Sequence, residues 1–353
     1  DHRDLHSFPT RRSSDLPDFL KDNGNIGFVA PAFGCASEPY KSAFDNALKK
    51  LHAMGFGTHE GSNCRMEKGI GISNTPQKCA KELMYEYTNP QNDILMSCGG
   101  GELMCEVVPY IDFEKIKAAR PRWFMGYSDN TNFTYLSVVL SDTAAVYGPC
   151  APAFGMEEWH PSLYDAMDFL GGRKLKFSNY DSWEIESLKN DKNPLAVYNT
   201  TEMSCIKPSV DGKIKISGRV IGGCLDCLSN LIGTKFDKTK EFCEKYKEDG
   251  QIWFLEACDL NPVSVRRALW QLKNAGWFEN ARGFLFGRSM HFGEEMFGID
   301  QYNAITDSLE DLGVPVIMDL DIGHLPPMMP IVVGALADTE FSDGKFTIEY
   351  KLS

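Results

Sequence analysis

From about residue 25 onward, short apolar runs alternate with segments whose apolar positions recur at helical spacing. "NIGFVA" (25–30) ends at Pro31 and predicts a buried strand. "YKSAFDNALKKLHAMG" (40–55) sets Phe44, Ala47, Leu48 and Leu51 on one helical face and stops at Gly55. Asn74-Thr75-Pro76 offers cap residues followed by a proline, which predicts a helix start. "DILMS" (93–97) is the next strand and runs into Gly99-Gly100-Gly101. "WFMGY" (123–127) is another, followed by a helix over 130–140 and the strand "AAVYG" (144–148). Successive βα units with apolar strands imply a parallel sheet covered by helices on both faces. Ligands of such sheets bind beyond the carboxyl ends of the strands, where both the glycine run and Ser128 fall.

Residues 151–212 are rich in Trp, Tyr, Pro, Asn and charge, with one short helical piece near 162–170, and read as a connector. Strands resume with "KIKISGRVIGG" (213–223), "QIWFLEA" (251–257), "GFLFG" (283–287), "VPVIMDL" (314–320) and "KFTIEYKL" (345–352). Helices are expected between them at 225–232, 237–247, 262–275 and 299–311. The pattern divides the chain into an N-terminal α/β unit (17–160), a connector (161–212) and a C-terminal α/β unit (213–353). Residues 1–16 lack this periodicity, and "SFPTRRSSDL" matches one reading frame of a common sequencing-adapter DNA. They are expected to be an artefactual leader that packs against nothing.

Composition narrows the function classes. A length of 353 residues suits two domains, and 43% hydrophobic with 24% charged residues is ordinary for a soluble globular chain. A net charge of −13 argues against a nucleic-acid partner. No apolar run reaches the roughly 18–20 residues that span a bilayer, so no membrane partner is expected. Eleven cysteines without disulfide-framework spacing suit a reducing compartment, which points to the cytoplasm. Cys224-x-x-Cys227 lacks a second Cys or His pair and reads as packing on a helix. No His/Asp/Glu cluster has metal-ligand spacing, so no metal is expected.

Four features carry candidate chemistry. Ser128 stands where a strand gives way to a helix, either as an N-cap or as a nucleophile raised on a strand-to-helix elbow. On the second reading the helix N-terminus favours developing negative charge, and Asp129 is left to cap. "SCGGGE" (97–102) is a tight turn, a phosphate loop, or a source of backbone N–H groups for an oxyanion hole; it lacks the spacing of G-x-G-x-x-G and a Walker Lys. Glu256 ends an apolar strand, where a carboxylate is costly unless paired. It either orients a histidine or forms a structural ion pair with Arg266 or Arg267. His324 follows "VPVIMDL" and reaches the same sheet end, whereas His52 lies in a helix and His59 and His160 lie in polar loops. His291, in "GRSMHFGEE", is the other histidine left open.

The glycine turn followed by "PYIDFEKIK" (109–117), the G-Y-S-D elbow (126–129), "GRVIGGCLDCLSNLIGT" (218–234), "FLEACDLNPVSVRRALWQL" (254–272) and "DIGHLPPMMPIVVGALA" (321–337), in this order, resemble the LD-carboxypeptidase family of serine peptidases, including its MccF-like microcin-immunity branch. The resemblance covers essentially everything after residue 25. It implies an α/β fold: an N-terminal three-layer sheet resembling class I glutamine amidotransferases, and a C-terminal swivelling β/α domain. It implies a triad of Ser128, Glu256 and His324, with the backbone N–H groups of Asp129 and Gly100 as oxyanion hole. It implies no cofactor or metal, a cytoplasmic homodimer, and a small peptide or peptidyl-nucleotide as substrate. The murein-recycling branch usually has Arg-Gly-Gly at the oxyanion turn where this chain has Cys98-Gly99-Gly100-Gly101, and the "GGN" often seen in the family before the helix near 224 is here Gly222-Gly223-Cys224. Both differences border the pocket, Gly101 included. In the microcin-immunity branch an aromatic of the connector stacks on a nucleobase; Trp183 is the candidate here, its alternative being packing at the domain seam. The expected reaction is release of D-alanine from a murein tetrapeptide, or hydrolysis of peptidyl- or aminoacyl-nucleotides. A non-catalytic module that binds an anionic ligand is the reading from another class.

Overall fold

The computed structural model describes residues 15–352, which build two sheets flanked by helices. The first sheet has the order Ile331–Val333, Ala145–Tyr147, Phe124–Gly126, Ile94–Ser97, Asn25–Val29, Gly57–Glu60. All neighbours run parallel except Ile331–Val333, which pairs antiparallel with Ala145–Tyr147. Strand Ile94–Ser97 is buried along its length, as an apolar run inside a layered α/β unit should be. Helix Tyr40–Ala53 buries Ala43, Phe44, Ala47 and Leu51, and Leu48 packs on the core half-buried. Helix Pro76–Thr88 starts at its proline, although the Thr75 side chain makes no cap bond. The edge strand "GTHE" (Gly57–Glu60) was not expected, because a polar edge carries no apolar alternation.

The second sheet runs Lys176–Ser178, Lys345–Lys351, Leu336–Ser342, Ile214–Cys224, Gln251–Glu256, Ala281–Gly287, Val316–Leu320, Lys207–Pro208. Ile214–Cys224 through Val316–Leu320 are parallel and the flanking strands antiparallel. Segments from the connector therefore close both edges of this sheet. Ser182–Trp183 pairs separately with Glu202–Met203, and helix Pro161–Leu170 sets Phe169 edge-on to Trp123 at 5.1 Å. The strand Ile331–Val333 crosses back to the first sheet, so sheet membership does not follow chain order.

The expectation that residues 1–16 pack against nothing does not hold for the last two of them. Asp15 exchanges backbone hydrogen bonds with Asp142 (2.7 Å) and Ala144 (3.1 Å), and Leu16 packs partly buried on the core. Residues 1–14 lie outside the described residues. Among those described, no helix is long and apolar enough to cross a membrane.

Where the sheets meet, the Cys224 N–H donates to Thr131 Oγ1 at 3.0 Å. Gly223 permits this approach: its φ is +152°, and a Cβ there would stand 2.5 Å from Thr131 Cγ2. The contact brings the end of Gln251–Glu256, paired with Ile214–Cys224, over the helix that follows Ser128.

Candidate active site

Strand Phe124–Gly126 ends in an extended Tyr127, and the chain then turns sharply at Ser128, whose φ is +63°. A left-handed backbone is costly for a residue with a side chain, and such strain concentrates where a group must be held in one direction. A 3₁₀ turn (Ser128–Asn130) leads into helix Thr131–Ser141. Neither Ser128 nor Asp129 caps that helix through its side chain, which corrects the expectation that Asp129 would. The Asp129 carboxylate instead accepts from Met104 N (2.7 Å) and Asn132 Nδ2 (2.9 Å), tying the elbow to the segment after the glycine turn. Burial pushes this carboxyl up to about 6, against the lowering effect of the Met104 N–H.

The glycine turn lies against the elbow. Asn130 Nδ2 donates to Gly99 O (2.7 Å) and to Tyr127 O (3.0 Å), fixing one to the other. Gly100 faces the Ser128 side chain, and among the described residues neither its N–H nor that of Asp129 is given to another acceptor. Gly101 sits behind them, close to Ala32, the Gly71 carbonyl and the Asp129 carboxylate.

His324 Nε2 lies 2.8 Å from Ser128 Oγ, and its Nδ1 lies 2.8 Å from Glu256 Oε2. Glu256 is the last residue of Gln251–Glu256 with a side chain 0% exposed, and His324 follows Val316–Leu320 with its ring 5.2 Å from that of Tyr127. Burial works against both charges. For Glu256 the imidazolium overcomes it, helped by hydrogen bonds from His324, Tyr147 and Cys224, and the carboxyl lies below its ordinary range. For His324 the Glu256 charge and the neighbouring Cys258 thiol overcome burial and raise the imidazole well above its ordinary value. The three side chains come from separated parts of the chain and converge at the strand ends where the sequence placed them.

Other candidates resolve differently. Arg266 pairs with Asp307 at 3.1 Å, not with Glu256. His52 meets Thr58, His59 meets Glu86, His160 meets Ser162, and His291 meets Glu294; none reaches the cluster. Cys227 packs its thiol 3.7 Å from Ser128 O and from Asp129 Oδ1. Trp183 is 4% exposed, edge-on to Phe292 at 4.9 Å with the Arg288 guanidinium 5.0 Å from its ring. It also lines a cavity of about 270 Å³ with Glu202, Lys207, Arg288, Phe292 and Asp319. The next residue, Glu184, donates its N–H to Pro326 O at 2.7 Å, joining this segment to the loop that carries His324.

Sequence reasoning missed Asn130 and Tyr147. Tyr147 ends the strand beside the elbow, and its hydroxyl accepts from Ser128 N at 3.0 Å and donates to Glu256 Oε1. Its only signal was a hydroxyl-bearing residue at a strand's carboxyl end.

Comparison with known proteins adds an independent line. The LD-carboxypeptidase N-terminal domain matches residues 26–148, and the LD-carboxypeptidase C-terminal domain matches residues 217–339. The chain is 26% identical to the microcin C7 self-immunity protein MccF of Escherichia coli, over 92% of each chain. It is 24% identical to a probable murein peptide carboxypeptidase of Bacillus subtilis, covering 96% of this chain and 95% of that one. Among solved structures, MccF in complex with aspartyl sulfamoyl adenosine superposes with a TM-score of 0.80 at 22% identity, covering 95% of this chain and 98% of that one.

Proposed function

The chain belongs to the LD-carboxypeptidase family of serine peptidases, and from that premise we propose that Ser128, His324 and Glu256 are its triad and that it releases the terminal D-alanine of a murein tetrapeptide or a related peptide. The observation that carries this reading is the pair of 2.8 Å contacts that link Ser128 Oγ to His324 and His324 to Glu256. A module that only held an anion would need no such relay, which favours catalysis over the binding alternative.

In this mechanism His324 Nε2 takes the Oγ proton as Ser128 attacks the scissile carbonyl. Glu256 holds Nδ1–H and stabilises the imidazolium. The oxyanion accepts from the N–H groups of Asp129 and Gly100, both free to donate. The imidazolium then protonates the leaving amine, and water activated by the same nitrogen hydrolyses the acyl-enzyme.

A second reading keeps the triad and changes the leaving group to a nucleotide. The likeness to MccF supports it, and so does the placing of Trp183, which lines a cavity and precedes Glu184, whose N–H is held by the loop that carries His324. Hydrolysis of a D-alanine-terminated tetrapeptide, compared with that of an aspartyl-adenylate analogue, separates the two. Loss of both activities in Ser128→Ala is expected, and turnover at the wild-type rate in that variant would remove the triad assignment.

A further inference from the structure

Tyr147 is wholly buried at the end of Ala145–Tyr147, with its ring against Phe254 at 5.3 Å and Tyr127 at 6.3 Å. Its hydroxyl does two things. It accepts the backbone N–H of Ser128 (3.0 Å), and it donates to Glu256 Oε1, the oxygen that His324 leaves unused. The contacts thus close a circuit: Ser128 N–H donates to Tyr147, Tyr147 to Glu256, His324 Nδ1–H also to Glu256, and Ser128 Oγ–H to His324 Nε2.

Resting on the triad reading above, we propose that Tyr147 is a positioning residue of the reaction, which fixes the strained elbow and sets the basicity of Glu256 through one hydroxyl. The chemistry follows from the two partners. In a part-buried elbow at φ +63° the Ser128 N–H, outside any strand or helix ladder, needs an acceptor. Tyr147 supplies it and thereby pins the one residue whose backbone is strained. Glu256 is buried, so each donor it receives withdraws charge that would otherwise act on the imidazole. Burial, with the Glu256 charge beside it, pushes the phenol well above its usual range, so the hydroxyl keeps its proton throughout the working range.

The groups that face this circuit are few. Cys224 and Cys227 come from the strand-to-helix junction of the second sheet, Cys258 from the turn after Glu256, and Tyr127 from the elbow itself. The Cys224, Cys227 and Cys258 thiols and the Tyr127 phenol are all raised above their ordinary values by their surroundings, and Asp129, which follows Ser128 and lies against Cys227, is pushed up to about 6 by burial. Tyr147 is then the neutral donor through which the Glu256–His324 pair is tuned.

Two variants test the assignment in the full chain. Tyr147→Phe keeps the ring and removes the hydroxyl; site-specific 3,5-difluorotyrosine at 147 keeps the hydroxyl and makes it a stronger donor. Without the donor, Glu256 becomes more basic, and the acid limb of kcat/KM should rise by about 0.5–1 pH unit. With the stronger donor the limb should fall. In Tyr147→Phe, kcat should drop about 10–100-fold with KM changed less than twofold. The downfield Nδ1 proton resonance of His324, followed against pH without substrate, should report the same opposite shifts. Absence of that resonance in the wild type would overturn the triad reading itself. Its presence, with unmoved titration in the difluorotyrosine variant, would overturn the role of Tyr147 alone. A lower kcat in Tyr147→Phe with an unmoved acid limb would mean a structural part only, and would overturn it as well.

Discussion

Gly100 stands so close to Ser128 that a methyl group on its Cα would lie 3.0 Å from both Cβ and Oγ of the serine. Such a contact is tight enough to displace the serine oxygen, and the same methyl would crowd the site an oxyanion must enter. The backbone of Gly100 is not left-handed, so alanine is acceptable there on conformational grounds. Gly100→Ala is expected to lower kcat at least about 100-fold while leaving the thermal midpoint nearly unchanged. Steady-state kinetics with circular-dichroism melting checks both, and a near-normal kcat would contradict the placing of Gly100 against the reacting oxygen.

The strain at Ser128 gives a second expectation. Both Ser128→Ala and Ser128→Gly should lack turnover, but only glycine accepts φ +63° without cost. Glycine should therefore be the more stable of the two by about 0.5–1 kcal/mol, after its own chain-entropy penalty. Urea unfolding of the two variants side by side measures the difference. If alanine proves the more stable, the elbow is not strained as described.

If His324 is the base of the proposed triad it must be neutral to accept the Ser128 proton, and against the effect of burial Glu256 raises its pKa well above the ordinary 6.5. Activity should accordingly fall as the pH drops through that raised value, which places the optimum on the alkaline side. Glu256→Gln removes the charge responsible, so the acid limb should move down while kcat falls by about 10⁴. A kcat/KM profile across pH decides the matter: a wild-type limb below 6.5 would contradict the pairing.

Asp129 links pH to stability. Its folded pKa of about 6 lies above the ordinary 3.8, so between these values the unfolded chain is ionised while the folded one holds its proton. Stability is greatest below the lower value and declines as pH rises to about 6, by roughly 2–3 kcal/mol from this group. Denaturant unfolding at several pH values should reveal the decline, and Asp129→Asn should flatten it. An equal slope in both proteins would place the titrating group elsewhere.

The elements that sequence made legible are those whose information is local. Apolar runs and helical faces fixed most strands and helices, and strand ends pointed to Ser128 and His324. Glu256 could be found because a carboxylate closing an apolar strand needs a partner. What escaped depends on distant partners. "GTHE" is a strand only because it borders Asn25–Val29, and "IVV" after the proline-rich turn gave no hint that it belongs to the first sheet. Asp129 has the chemistry of a cap, yet its acceptor oxygens serve Met104 and Asn132. Tyr147 reads as one more core aromatic until its hydroxyl is seen between Ser128 and Glu256.

The return of Ile331–Val333 to the first sheet bears on how the protein is made. Until that strand has been synthesised, Ala145–Tyr147 is an open edge with unpaired backbone groups, and His324, which shortly precedes the strand in the chain, is not yet available to fold. On the proposed triad, the nascent chain thus carries Ser128 for much of translation without His324 to activate it. During the same interval it presents a sticky margin to its neighbours. Premature termination before residue 331 should produce inert, aggregating fragments instead of slow enzymes.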